Sequence, residues 1–205
     1  MEDVLAVYAL PHDPLRPVVC MDESSKQLIG EVQAPIGPAR GHGCLIDHEY
    51  VRNGVAEIFV EVEPLAGRRH VEITERRTRQ DWARFVKGML DERYPGAEKV
   101  RLVLDNLNTH FRKCFEDVLG VKVAHKLLRR VVFHYTPKHA SWLNMAEIEI
   151  GILDRQCLNR RLPDRDTLAS EVDAWQGRRN NERRRIEWMV SRQDADLKMA
   201  RHYVS

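Results

Sequence analysis

Three acidic residues that lie far apart in the chain each stand beside an apolar run, and this pattern limits the possible folds more than any other feature. The run Val103-Leu104 leads directly into Asp105, after which the sequence turns polar and a helix can begin. Asp22 and Glu147 likewise follow apolar segments. Hard cations such as Mg²⁺ prefer carboxylate oxygens, and a strand end holds such a group rigidly at the edge of a sheet. The pattern therefore predicts a carboxylate metal site at a sheet edge.

The composition is typical of a globular protein. Hydrophobic residues make up 43% and charged residues 31% of the chain, which argues against intrinsic disorder. The 205 residues suffice for one substantial core, with or without a helical tail. No window approaches the roughly 18 apolar residues of a membrane span, so no membrane partner and a cytoplasmic location are predicted. The four cysteines are scattered without a CxxC pair, so reduced thiols are expected.

The order of the elements predicts an α/β protein. Apolar runs between turn residues predict strands at 18–22, 27–33, 55–62, 70–74, 99–104 and 131–135, the first two forming a hairpin across Ser24-Ser25. Helices are predicted at 78–93, 109–128, 143–158, 164–185 and 192–202, after a helix end within residues 1–10. Antiparallel strands followed by βαβ-like units predict a mixed five-stranded sheet flanked by helices, with a helical C-terminal tail. Right-handed crossovers would place the Asp105 strand beside the Asp22 strand.

Four long segments, in the same order along the chain as in a known family, form a recognisable pattern. They are CMDESSKQL, EPLAGRRHVEITERRT, LVLDNLNTH and HYTPKHASWLNMAEIEI, and the similarity continues to the C-terminal DADLKMARHY. Together they resemble the catalytic domain of IS630-type transposases, which are related to the Tc1/mariner group. The resemblance implies an RNase H-like fold with a DDE triad, in which Asp22, Asp105 and Glu147 match the three catalytic and metal-binding acids. We accordingly predict a connector at 1–17, the catalytic domain at 18–160 and a C-terminal helical extension at 161–205.

The third acid has a rival two residues further along. Periodicity alone does not choose between Glu147 and Glu149, which lie about 200° apart around a helix. The motif Asn-x-x-Glu, which begins at Asn144, favours Glu147, and Gly151 one turn later leaves space beside it. Glu23 is predicted to be a surface acid or to support Asp22.

The resemblance also implies an activity and its partners. The expected reaction is metal-dependent cleavage of DNA at the ends of an insertion sequence, followed by attack of a freed 3′-hydroxyl on target DNA at a TA step. Two Mg²⁺ or Mn²⁺ ions roughly 4 Å apart would serve such phosphoryl transfer. Relatives carry a helix-turn-helix region ahead of the catalytic domain, whereas only 17 residues precede the first predicted strand here. A separate upstream helix-turn-helix half, a dimer on DNA and a nucleoid-associated location are therefore expected.

Two other functions stay open at this point. One is a catalytically silent transposase remnant or accessory DNA-binding module, and the other is an RNase H-like nuclease of another kind. Divalent-dependent nicking would separate the two enzymes from the silent module. Strand joining would separate the transposase from the other nuclease.

Further polar residues are predicted to support the acids or to contact DNA. Asn106, His110 and Asn144 stand next to the matched acids and are expected to orient them, although His110 could instead face solvent. The predicted DNA contacts are Lys138, His139, Arg160, Arg161, Arg178, Arg179, Arg183 and Arg184. The net charge is only +2, so DNA binding would depend on these local clusters. The same arginines could equally be solvated helix faces.

Overall fold

A mixed sheet of five strands forms the centre of the part of the chain that a computed structural model describes, namely residues 1–45, 47–105, 113–138, 140–190 and 194. The strands are β1 (Val18–Glu31), β2 (Tyr50–Glu63), β3 (Arg68–Thr74), β4 (Val100–Leu104) and β5 (Val131–Tyr135). Their spatial order is β3-β2-β1-β4-β5. The first three pair antiparallel, whereas β4 runs parallel to both β1 and β5. The predicted mixed sheet and the predicted neighbourhood of the Asp22 and Asp105 strands are confirmed.

The predicted hairpin across Ser24-Ser25 is wrong, because β1 runs through both serines without a turn. Ser24 pairs with Ile58 and Ser25 with Glu57 of β2, and the register shifts only between Gln27 and Ile29. The Ser25 hydroxyl donates to Glu57 Oε2 at 2.7 Å across the pair. Serine favours turns where its backbone lacks a ladder partner. Here β2 supplies that partner, so the two predicted short strands are one strand of 14 residues.

Helices cover both faces of this sheet. They are α1 (Glu2–Tyr8), α2 (Arg79–Gly88), α3 (Lys113–Leu119), α4 (Val121–Leu128), α5 (Met145–Leu153) and α6 (Arg165–Asn181). A π-helical turn extends α2 over Met89–Arg93 and another extends α5 over Asp154–Leu158, while a 3-10 turn at Ser141–Leu143 precedes α5. Except for residue 194, the predicted helix at 192–202 lies outside the described residues. Among the described helices, none is long and apolar enough to cross a membrane. The division into three segments at residues 17 and 160 stays a prediction.

The alternation of side chains along β1 and β4 decides which face carries the two aspartates. Met21 and Leu104 belong to the core under α2, α3 and α4, where Trp82 is buried. Cys20 and Val103 belong to the opposite core, which α1 and α5 cover. Because successive strand residues point to opposite faces, the residues that follow Met21 and Leu104 are directed to the α5 side. The fold thus brings both aspartates to the face on which α5 lies.

Candidate metal centre

Three carboxylates converge where the parallel pairing of β1 and β4 ends. Oxygen atoms of Asp22, Glu23 and Asp105 all lie within 4.8 Å of one another. The last paired residues are Cys20 on β1 and Val103 on β4, and each aspartate stands two positions further along its own strand. Oxygen ligands at this spacing can surround a single hydrated cation. The group is a candidate metal centre.

Asp22 is strongly affected by this environment. Its residue is 9% exposed. Burial above all, together with the negative charges of Asp105, Glu23 and Glu147, raises the pKa of its carboxyl to about 7, although the Glu23 backbone N–H, which donates to Asp22 Oδ1 at 2.8 Å, opposes these effects. The centre therefore holds more negative charge than the protein alone can stabilise, a condition that a divalent cation relieves.

This pKa predicts how the stability of the metal-free protein depends on pH. Between about pH 4 and pH 7 the folded chain keeps a proton on Asp22 that the unfolded chain has lost. The contribution of Asp22 to the free energy of unfolding must therefore fall as the pH rises through this window. We expect the melting temperature of Asp22→Asn to exceed that of the parent protein by an increasing margin from pH 5 to pH 8, measured in EDTA. Parallel melting curves for the two proteins would contradict the assignment.

Glu147 lies in the first turn of α5 and lines the same open cleft, of about 430 Å³, as Asp22 and Glu23. Gly151 lines this cleft one turn further along the helix, and the absence of a side chain there keeps the space beside Glu147 open. The repulsion that Glu147 exerts on the Asp22 carboxyl shows that the two charges are close. The cleft therefore contains acids from a strand and from a helix on opposite sides.

Asn144 connects the helix of Glu147 to the strand of Asp22. It is fully buried, and its Oδ1 accepts a hydrogen bond from Ala146 N at 3.1 Å, which caps α5. Its Nδ2 donates to the carbonyl oxygen of Met21 at 2.8 Å. One side chain thus sets the start of α5 relative to the residue that precedes Asp22. This contact is consistent with the predicted role of Asn144 in orienting the acids.

Glu149 is turned away from the cleft. It is fully buried, and its carboxylate accepts hydrogen bonds from Arg179 Nε at 2.7 Å and Arg179 Nη2 at 3.1 Å. Arg69 Nε lies 3.0 Å from the same carboxylate. Two arginines thus bind the carboxylate of Glu149, the alternative to Glu147, in a buried ion-pair cluster. Periodicity could not reveal this, because Arg69 belongs to β3 and Arg179 to α6.

Glu23 is the acid that sequence reasoning placed least well. Alternation would direct it to the face opposite Asp22, yet its carboxylate reaches the other two acids. Its position next to Asp22 and its longer side chain are the signals that could have identified it. Lys26 was also missed. It lines the cleft, and its Nζ donates to the carbonyl oxygen of Leu158.

Only some of the predicted supporting and DNA-contacting residues lie in the described part of the chain. Asn106, His110 and His139 lie outside the described residues. Lys138 is exposed. Four of the arginines form ion pairs: Arg160 with Glu171, Arg161 with Glu31, Arg179 with Glu149 and Arg184 with Glu182. Arg178 and Arg183 form none with the described part of the chain, and no arginine lines the acidic cleft there. DNA contact by these residues stays a prediction.

Comparisons with known proteins identify the fold. A chain of the crystal structure of the Mos1 mariner paired end complex with Mn is 14% identical, with a TM-score of 0.56 over 89% of this chain and 56% of that chain. A chain of the Mos1 strand transfer complex is 11% identical, with a TM-score of 0.57 over 89% of this chain and 56% of that chain. A chain of the simian T-cell lymphotropic virus intasome, in complex with PP2A regulatory subunit B56 gamma, is 15% identical, with a TM-score of 0.50 over 80% of this chain and 49% of that chain. This likeness confirms the predicted RNase H-like fold, and the chain spans about half the length of these chains.

The sequence comparisons define the family. No curated protein is significantly similar to the chain in sequence. A family model described as DDE superfamily endonuclease, however, matches residues 17–169, which is most of the chain. The narrower assignment to the IS630 group stays a prediction. The RNase H-like sheet, the acids that meet where the pairing of β1 with β4 ends, and above all the extent of this match show that the chain belongs to the DDE superfamily endonucleases.

Proposed function

We propose that this chain is the catalytic domain of an IS630-type transposase, which cleaves and joins DNA strands with Mg²⁺ or Mn²⁺ as cofactor. The observation that carries the proposal is the convergence of Asp22 and Asp105 within 4.8 Å, beside a cleft that Asp22 and Glu147 both line. Membership of the DDE superfamily endonucleases and the likeness to the Mos1 complexes, one of which contains Mn, support it.

The donor set fits a hard divalent cation. All three proposed ligands, Asp22, Asp105 and Glu147, are carboxylates, and no histidine or cysteine lines the described part of the cleft. Burial, and in addition the negative charges of Asp105, Glu23 and Glu147, raise the pKa of Asp22, so ionisation of the full set is favoured by a cation. When bound, two divalent ions would stabilise the charge that develops on the phosphate and activate the attacking hydroxyl group.

The protein itself supplies rigid placement and access. Asp22 and Asp105 are held by adjacent strands, and Asn144 ties α5 to the carbonyl oxygen of Met21. Acids on packed elements need no rearrangement before the reaction, which is how a preorganised site lowers the barrier. The cleft is open to solvent, so a DNA backbone can enter it. Its lining also includes Lys26, whose charge favours the approach of a phosphate.

The proposed partners follow from the part of the enzyme that this chain represents. We propose that its substrates are the ends of an insertion sequence and a target containing TA. The chain spans about half the length of the Mos1 chains it resembles. We further propose that a separate helix-turn-helix half recognises the ends and that two copies of the chain act together on the DNA, a proposal that the DNA complexes of Mos1 support.

A plasmid assay tests this proposal. The chain, with and without an upstream helix-turn-helix half, is incubated with DNA that carries the element ends, in Mg²⁺, Mn²⁺ or EDTA. We expect nicking at the ends and strand joining with either metal and neither reaction in EDTA. Nicking without joining would indicate another RNase H-like nuclease. Absence of both reactions with the upstream half supplied would indicate a silent remnant or accessory DNA-binding module.

A further inference from the structure

A second cavity, of about 510 Å³, lies at the outer edge of the sheet. It is formed by β2 and β3, the end of the π-helical turn after α2 and the C-terminal end of α6. Within the described residues it shares no lining residue with the acidic cleft. Its lining contains four arginines, Arg68, Arg69, Arg93 and Arg183, and one carboxylate, that of Glu61. We name this space the arginine cavity.

Two of its arginines form ion pairs with buried carboxylates. Arg93 Nε donates to Glu61 Oε2 at 2.9 Å, and Glu61 is 2% exposed. Arg69 contacts Glu149 at 3.0 Å, but Glu149 also binds Arg179 at 2.7 Å. One carboxylate thus serves two guanidinium groups, which leaves an excess of positive charge beneath the cavity. Such an excess attracts an anion.

The other two arginines keep their charge available. Arg68 and Arg183 are both exposed, and neither forms an ion pair with the described part of the chain. His70, which belongs to the same lining, adds no charge at neutral pH, because burial and the nearby Arg93 lower its pKa to about 4. The side-chain amide of Asn181 adds hydrogen-bond donors to the same lining. The cavity therefore presents donors and positive charge to solvent.

The backbone holds Arg183 in an unusual conformation. Its φ of 48° lies in the left-handed region, which residues other than glycine rarely adopt. Gly67 permits the close approach of this backbone, since a Cβ atom there would lie 2.5 Å from the Arg183 carbonyl group. Arg69 Nη2 holds the next residue, because it donates to the Arg184 carbonyl oxygen at 2.6 Å. Arg183 directly follows the C-cap residue of α6, where a left-handed residue commonly ends a helix, so the end of α6 fixes the place of Arg183 at the cavity.

We propose that the arginine cavity binds a phosphate group, with Arg68 and Arg183 as its direct contacts. Planar guanidinium groups match the oxygens of a phosphate with paired hydrogen bonds. The phosphate belongs either to a DNA backbone or to a free phosphate ion, and both present the same oxygens. β3 is separated from β1 by one strand, so this site lies about 10 Å from the Asp22 strand across the sheet. Binding here requires no metal, and it goes beyond the proposed catalytic function.

The experiment removes catalysis from the measurement. Binding is measured in EDTA with Asp105→Asn as the parent protein, so that failure of this proposal and failure of the proposed function can be distinguished. Inorganic phosphate and a short DNA duplex without element ends are titrated separately, the duplex over a series of salt concentrations. The test variant adds Arg68→Gln and Arg183→Gln. The matched control adds Arg84→Gln and Arg165→Gln, which removes the same charge from exposed helix positions elsewhere.

Each outcome either supports or overturns the proposed phosphate site. A loss of phosphate affinity of roughly tenfold or more in the test variant alone would support the site with free phosphate as ligand. A loss confined to DNA, with a salt slope smaller by about 2, would support it with the DNA backbone as ligand. Equal changes in test and control variants, or no change in either, would overturn the proposal. If the double variant does not fold, Arg68→Gln alone is expected to lower the slope by about 1.

Discussion

Replacing Asp105 by asparagine is expected to abolish metal-dependent cleavage while leaving the fold intact. The substitution keeps the size of the side chain but removes a charge from the group in which Asp22, Glu23 and Asp105 lie within 4.8 Å. Divalent cations supply both the activation of the nucleophile and the stabilisation of the transition state, so nicking should fall at least roughly a thousandfold. The melting temperature in EDTA should stay unchanged or rise, because repulsion among the acids is reduced.

The matched control is Asp117→Asn, which removes a carboxylate from an exposed position on α3. Nicking with Mg²⁺ and with Mn²⁺ is measured for all three proteins, together with the upstream half. Asp117→Asn should cleave at the parent rate. Parent-level cleavage by Asp105→Asn would remove Asp105 from the proposed metal centre.

Replacing Glu149 by glutamine is expected to destabilise the protein severely. The side chain of Arg69 is fully buried and that of Arg179 is 12% exposed, and both bind the Glu149 carboxylate. Removal of this charge leaves two guanidinium groups without compensation in the interior, a loss of about 3–5 kcal/mol in the free energy of unfolding. The measurement is denaturant unfolding in EDTA.

Glu147→Gln is the matched control, since it makes the same chemical change two residues away. Glu147 lines an open cleft, so its replacement should change the free energy of unfolding by only about 0.5 kcal/mol. Metal-dependent nicking should nevertheless collapse. The reverse result, with a stable but inactive Glu149→Gln and an active but unstable Glu147→Gln, would transfer the proposed role of third acid to Glu149.

The sheet could be predicted from sequence because local patterns determine it. The strand at 131–135 was predicted with both of its ends, since an apolar run between turn residues leaves little choice. The position of β4 beside β1 followed from the handedness of crossover connections. The Ser24-Ser25 hairpin failed for the opposite reason. The partner that keeps these serines extended is β2, which lies more than 30 positions away along the chain.

In the candidate site, too, local patterns could be predicted from sequence and contacts between distant elements could not. The end of β4 could be recognised from the apolar run that leads into Asp105, whereas Asp22 lies within β1 and not at its end. The two acids nevertheless meet as expected. The choice between Glu147 and Glu149 depended on arginines from β3 and α6, which no local pattern connects to α5. Arg179 was predicted to contact DNA from its place in a basic cluster. Its guanidinium binds the Glu149 carboxylate, and the composition of a helix end does not reveal such a contact inside the protein.

The contact between Asn144 and Met21 has a consequence for biosynthesis, because it joins residues 123 positions apart. During translation β1 leaves the ribosome long before α5 has been made, and such a non-local contact can form only after the intervening strands have been synthesised. A nascent or prematurely terminated chain that ends before residue 144 lacks both this contact and Glu147. Such fragments hold at most part of the acidic centre, so the capacity to cut DNA would arise only after the central sheet and α5 are complete.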